Sequence, residues 1–462
     1  MRKKQRFMAC IYACTLFLTA CGQSGEQPSG TQPEIGEATS AVPSAENTEN
    51  PAIIVYCQEG ITFFNNAIRE FEQRNDVEVN VERFEDAAEM ESRITAETLS
   101  GKGPDVWLFS ENSNTLDIHK MMANGSFYAL NELIEEEKGY GGWQEERYYP
   151  CMLEAGQFDG KQYILPLSFS MTQYYAETSL VDTCYPGLED GYDMRELMQA
   201  FKEECGRTKD EPYQMGLAFG GQTGSPLYLF IENSQKPMLD YEKGQLTLDR
   251  DMLEEIMEFW RLWTETQKRE EIVGKYGNEM SIIEHFSFWA DGTSMLNAVR
   301  HNVSQYAVLE KEAYFYLMPA WDKENSYLAF VTEFGGVNKN SSHPKEAYGL
   351  LRAAMDYQMT YDFNKYDSSL YYNLPVNKTV LHSALQLVST RKGKGKFDIR
   401  PLTDEYKEQL EDVLKHIDAA VLRNPKVSAI LDEVMKPYIM GEEEFDTCYT
   451  TLENRLKLYL AE

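Results

Sequence analysis

The chain has 462 residues, 42% of them hydrophobic and 12% aromatic, which suits two cores rather than one. Its formal net charge of -31 argues against nucleic acid as a partner, because binding phosphate needs clustered Lys and Arg. The one basic run, Arg391 to Arg400 with Gly393 and Gly395 inside it, reads as a solvated loop.

The chain opens with a targeting signal. Arg2, Lys3, Lys4 and Arg6 precede an uncharged run from Phe7 to Ala20, and Cys21 follows in the string Leu18-Thr19-Ala20-Cys21-Gly22. A basic start, a short apolar run and a small residue before a cut are the parts of an export signal. The run is too short to span a bilayer comfortably. The arrangement resembles a bacterial lipoprotein signal, with residues 1–20 removed and Cys21 lipidated as the new first residue. That resemblance implies lipid anchoring to the cell membrane, on the outer face of the cytoplasmic membrane. The alternative is an ordinary signal peptide cut near an incidental cysteine. Residues 21–52 carry Pro28, Pro33, Pro43 and Pro51 among small and polar residues, and read as a disordered tether. Beyond the signal, Cys57, Cys151, Cys184, Cys205 and Cys448 remain, an odd set without close pairs and so no disulfide framework.

Order then begins abruptly. Ile53 to Cys57 reads as a buried strand, and Phe64, Ala67, Ile68 and Phe71 share one helical face. Val77, Val79 and Val81 alternate as in a half-buried strand. Asp86 to Leu99 is a second helix, stopped by Gly101 and Gly103-Pro104. Asp105 to Phe109 is a further buried strand, and Thr115 to Ala123 a third helix. This alternation predicts an α/β fold with a doubly wound, mainly parallel sheet, whose ligands sit beyond the carboxyl ends of its strands. Those ends are Gln58-Glu59-Gly60 and Ser110-Glu111-Asn112. Later helices are predicted over Met252 to Thr266, Pro344 to Gln358, 404–423 and 443–461.

Several motifs then occur in a familiar order. They are Gly101-Lys102-Gly103-Pro104-Asp105-Val106, Met122 to Leu130, Leu165-Pro166-Leu167 with Tyr174-Tyr175, Phe288 to Met295, Phe334-Gly335-Gly336-Val337 and Asn373-Leu374-Pro375-Val376. Over residues 53–462 the chain resembles the family-1 extracellular solute-binding proteins, the sugar-binding group that includes the maltose-binding protein. It departs from them after Met295, where Asn297 to Asn302 replaces the usual Gly and Trp. The resemblance implies a two-lobed periplasmic-binding-protein-like fold, type II, with a hinge of crossing strands near 164–176, 317–330 and 372–378. The N-terminal lobe would combine 53–165 with 330–373, and the C-terminal lobe 176–317 with 378–462.

A sugar offers an apolar ring face and a rim of hydroxyls, which aromatic rings and carboxylates or amides respectively suit. The candidate ligand-binding residues are Glu59, Glu111 and Asn112 at the strand ends and Tyr174 and Tyr175 at the first crossing. Trp289, beside a predicted helix start, and Trp321, Glu333 and Phe334 on the return complete the set. Hinge packing is the rival reading for Tyr175; Asp105 and Trp107 read as structural, as does Trp143, for which rim stacking is the alternative.

Enzyme signatures are poor. Gly156 to Lys161 fails the phosphate-loop spacing, and neither Gly-x-Ser-x-Gly nor His-Glu-x-x-His occurs. The six His have no metal-ligand spacing, and Asp322 to Glu333 has Tyr327 where a calcium loop needs Gly. The expected protein is a monomeric, lipid-anchored solute-binding component of an ABC importer, without metal or cofactor. It would deliver a carbohydrate to membrane permease subunits. The alternatives are a sensing lipoprotein that presents its ligand to a membrane receptor, and a binder of a non-sugar solute. The missing motifs disfavour a surface glycan-degrading enzyme.

Overall fold

The computed structural model describes residues 52–58, 61, 64–111, 116–184, 191–208, 215–220, 226–266, 286–291, 310, 312–357, 373–390, 401 and 403–462. Cys21 and the expected signal and tether lie outside these residues. The principal elements begin with β1 (Ala52–Gln58), α1 (Phe64–Asn75), β2 (Glu78–Phe84), α2 (Ala87–Leu99), β3 (Val106–Ser110), α3 (Ile118–Ala123), α4 (Asn131–Gly139) and α5 (Pro150–Ala155). Next come β4 (Ile164–Pro166), β5 (Ser168–Ser170), β6 (Gln173–Glu177), α6 (Met194–Thr208), β7 (Met215–Gly220), α7 (Pro226–Asn233), α8 (Arg250–Thr266), β8 (Phe286–Asp291) and β9 (Ala313–Leu317). The remainder are β10 (Lys323–Val331), β11 (Glu333–Val337), α9 (Pro344–Tyr357), β12 (Leu374–Pro375), α10 (Lys378–Thr390), α11 (Asp404–Lys415), β13 (Ile417–Val421), α12 (Pro425–Ile439) and α13 (Phe445–Ala461).

The first lobe is built on a sheet of order β2-β1-β3-β11-β4. β1 pairs in parallel with β2 and β3, and β11 returns antiparallel between β3 and β4. The helical stripe of α1 buries Phe64, Ala67, Ile68 and Phe71 against this sheet, as its spacing predicts. β3 is buried along Val106–Phe109, with Trp107 wholly enclosed. Gly335 and Gly336 explain how tightly β11 is overlaid: a Cβ there would lie 2.5 Å from Leu351 and from Phe127 respectively. Asp105 is structural: its Oδ2 accepts the Ile54 N–H at 2.9 Å, and the Asn338 amide donates to the Pro104 carbonyl at 2.8 Å.

The second lobe has a sheet of order β9-β6-β8-β7, with β6 antiparallel to both neighbours and β7 parallel to β8. Its apolar cluster joins α6, α7 and α8 to the C-terminal pair α12 and α13. Between the lobes runs a third sheet, in which β5 pairs with β10 and β12, and β13 pairs in parallel with β10. This is the hinge.

One sequence expectation is corrected here. The span 404–423 is not one helix: α11 stops at Lys415, and Ile417–Val421 is a hinge strand. A short apolar run is ambiguous between helix and strand, and pairing with β10 decides it. Trp289 lies within β8, opposite Tyr175 and Ala218, and the helix start expected beside it falls outside the described residues. At the expected third crossing, Leu374–Pro375 pairs with β5 in the hinge sheet, and Leu374, Leu381, Leu385, Leu410, Leu414 and Leu422 pack in the first apolar cluster.

Asp105→Ala would remove the buried carboxylate that accepts the part-buried Ile54 N–H. The expected loss is about 1–3 kcal/mol, read from urea unfolding of the two forms.

Candidate ligand-binding site

The carboxyl ends of β1 and β3, the start of β11 and the end of β13 meet at one edge of the hinge. The Gln58 side chain accepts the Ser110 N–H at 2.6 Å and ties the first two ends together. The next residue, Glu111, donates its backbone N–H to the Thr332 carbonyl at 2.7 Å. β3 and β11 thus present Glu111 and Glu333 side by side.

Arg423, just past β13, reaches into this group. Its Nη1 lies 2.6 Å from Glu111 Oε1, and the two side chains are only 11% and 6% exposed. The Arg423 guanidinium also lies 6.0 Å from the ring of Tyr228 on α7, where it feels the charge of Glu232. Glu333 is held by neutral donors, the Asn373 amide and the Thr332 hydroxyl, the latter at 3.1 Å. Ser168 on β5 completes the frame, sharing a 2.7 Å hydrogen bond with the Thr332 hydroxyl and accepting the Glu333 N–H at 3.1 Å.

Two carboxyls, Glu111 and Glu232, feel the Arg423 guanidinium, and Glu333 feels the charge of Glu111, all in a place that water reaches poorly. Burial pushes Glu111 above the ordinary carboxylate range, although Arg423 pulls it back. Burial pushes Glu232 up to about 7, against the hydrogen bond from Tyr228 and the charge of Arg423. Glu333 also rises to about 7, through burial and the nearby charge of Glu111. Near neutrality Glu232 and Glu333 can therefore each donate as an acid or accept as a carboxylate. Such groups match hydroxyls, which also do both.

Glu111 and Glu333 are thus brought together; Glu59 and Asn112 lie outside the described residues. Tyr174 is sealed in the second-lobe core against Phe201, with ring centroids 5.3 Å apart. Tyr175 is sealed too, its hydroxyl donating to Gln173 at 2.7 Å. Trp321 has no exposure, and the Arg195 guanidinium lies over its ring at 4.9 Å. Phe334 packs on Phe109 inside the first core. These four rings therefore serve packing in this structure rather than lining an open cleft. For Trp289 the strand position is described and the side chain is not. Trp143 is buried, with the Arg352 guanidinium over its ring. Arg423, Glu232, Tyr228 and Asn373 had not been expected. Asn424-Pro425, an N-cap residue before a first-turn proline, was the signal that a helix starts just after Arg423.

The family model for bacterial extracellular solute-binding proteins matches residues 66–386. The chain belongs to that family. No curated protein matches it significantly in sequence. Solved structures share the two-lobed fold. An ABC substrate-binding protein from Listeria monocytogenes in complex with cycloalternan is 14% identical, with a TM-score of 0.59 over 89% of this chain and 100% of that one. The cyclic alpha-maltosyl-1,6-maltose binding protein from Arthrobacter globiformis is 15% identical, with a TM-score of 0.60 over 89% and 99%. A putative oligosaccharide periplasmic-binding protein from Synechococcus sp. MITs9220 is 12% identical, with a TM-score of 0.61 over 88% and 99%. The members of this family are substrate-binding proteins. No helix among the described residues is long and apolar enough to cross a membrane.

A cavity of about 620 Å³ opens elsewhere, on the first lobe between α1, α4 and α9. Its charged lining is largely paired within the fold: Arg352 with Glu137 at 3.0 Å, Lys345 with Glu136, and Arg74 with Glu70. It also belongs to one lobe alone. The hinge crevice draws charge from both lobes, which a ligand gripped between them requires.

A carboxyl whose folded pKa lies above its unfolded value costs stability once ionised. For Glu333 that cost is absent at low pH, grows as pH rises from the ordinary 4.5 to about 7, and is complete above. Glu333→Gln should therefore raise the melting temperature clearly at about pH 8 and far less at about pH 5 in paired thermal scans.

Proposed function

We propose that this protein is the lipid-anchored binding component of an ABC importer. It captures a mono- or oligosaccharide between its lobes and delivers it to a membrane permease. The observation that carries this reading is the convergence of Glu111 and Glu333 from the first lobe, Glu232 from the second, and Arg423 just past hinge strand β13. Hydroxyls of a sugar would take up hydrogen bonds from these groups as the lobes close. The ligands of two structural relatives, both cyclic oligosaccharides, support the same class. The proposed lobe boundaries keep 53–165 and 330–373 in the first lobe and add 378–422. They keep 176–317 in the second, which resumes near 425, and the monomer is the working unit.

Cys21 would carry the acyl anchor, and residues 21–52 would let the body reorient above the membrane. Tethering raises the local concentration of the binding protein at its permease, which favours delivery. A sensing lipoprotein would share this chemistry and differ in its partner. Catalysis is not part of the proposal, and an oligosaccharide incubated with the protein should be recovered intact.

Capture at micromolar concentration corresponds to about -8 kcal/mol. A saturating sugar at about a hundredfold its Kd should stabilise the fold by about 2.7 kcal/mol. Thermal-shift screening against a glycan panel, followed by calorimetry, checks this. Arg423→Ala should weaken the best sugar about 10- to 100-fold, the value of a charge-assisted hydrogen bond. Stabilisation by peptides or amines and by no sugar would sink the carbohydrate reading.

A further inference from the structure

The passage from β13 to α12 is bonded to both lobes at three successive residues. The Leu422 carbonyl accepts from His119 Nε2 at 2.9 Å, Arg423 pairs with Glu111, and Asn424 reaches Asp117 at 3.3 Å. His119, Glu111 and Asp117 all belong to the first lobe. From the second lobe, Tyr459 on α13 donates its hydroxyl to Asp117. The Asn424 amide donates to Tyr459 at 2.7 Å and to the Tyr241 hydroxyl at 3.0 Å. Tyr241 in turn stacks on the His119 ring, with centroids 4.0 Å apart and planes 2° from parallel.

Two polar groups of this cluster have a second task, as helix caps. Asp117 caps α3, accepting the Lys120 N–H at 3.1 Å, and Asn424 caps α12 through the N–H groups of Lys426 and Val427. Burial holds the His119 imidazole below its ordinary pKa, so a neutral ring donates from Nε2 to the carbonyl. Lys120 lies over the Tyr459 ring at 4.2 Å. A separate tie stands beside this cluster. The Asp159 N–H, in the tight Asp159-Gly160 turn of a first-lobe hairpin, donates to Glu242 on a second-lobe hairpin at 2.8 Å. Both turn residues have positive φ, which fixes the direction of that N–H.

We propose that Asp117 and His119 of the first lobe, with Tyr241, Asn424 and Tyr459 of the second, form a latch that holds the lobes closed. It lies beside the carboxylate crevice and tunes affinity by setting the fraction of protein already closed, without touching the ligand. Affinity scales with the fraction of molecules in the competent state, so weakening the latch weakens capture in proportion. The proposal rests on the reading that capture requires closure between the lobes.

The test uses the full chain without any sugar. Spin labels are placed at Leu99→Cys and Met440→Cys, both exposed and on opposite lobes. Double electron–electron resonance then reads the distance distribution in the parent and in two conservative variants. Tyr459→Phe removes one hydroxyl, and Asp117→Asn removes a charge while keeping an α3 cap. Both variants should lose closed-state population several-fold and gain a longer distance. Parent-like distributions in either variant that keeps the parent's circular dichroism would overturn the latch. Because no ligand is present, a failed sugar screen and a failed latch are separate results.

Discussion

The arrangement hangs on one guanidinium. Arg423 stands just past hinge strand β13 and acts on carboxyls of both lobes, Glu111 and Glu232. Without it, both would lose a positive charge that favours their ionised forms in a place that water screens poorly. With it, Glu111 keeps a short ion pair, while burial moves Glu232 and Glu333 towards neutrality. Removing one partner of a buried pair costs more than the pair contributes, because the other charge remains. This constraint links the stability of the closed form to the chemistry of the crevice.

The hinge sheet makes that link mechanical. β5, β10, β12 and β13 pair with one another, so rotation of the lobes is referred to one small set of backbone hydrogen bonds. Ser168 and Thr332, on neighbouring hinge segments, hold each other and Glu333. A change in lobe angle would therefore be felt at a carboxyl within the crevice. Closure and recognition are not separate events in such a frame, because the groups that would read a hydroxyl are carried by the elements that move.

Much of the first lobe was legible in the sequence. The stripe of Phe64, Ala67, Ile68 and Phe71 can be satisfied only by one apolar partner, and Asp105 beside Gly103-Pro104 marks a clamped turn. The alternation of strands and helices was enough to place Glu111 at a strand end. The aromatic platform was not legible. Tyr174, Trp321 and Phe334 look alike whether they stack on a ligand or fill a core, and only tertiary contacts separate the two. Here Phe201, Arg195 and Phe109 already occupy their faces. Ile417 to Val421 misled for the related reason that a five-residue apolar run takes its conformation from its neighbour, β10. Arg423 was hidden as one charge among many, and its importance arises from residues more than 190 positions away in Tyr228 and more than 300 in Glu111.

Hydrogen–deuterium exchange with and without the best sugar from the glycan panel tests the central claim most directly. Binding in the crevice should slow exchange in peptides covering Leu108 to Glu111, Tyr228 to Asn233, Thr332 to Phe334 and Val421 to Lys426. The cavity helices α1, α4 and α9 should remain unchanged. Protection confined to those three helices, with the crevice peptides unaffected, would contradict the account.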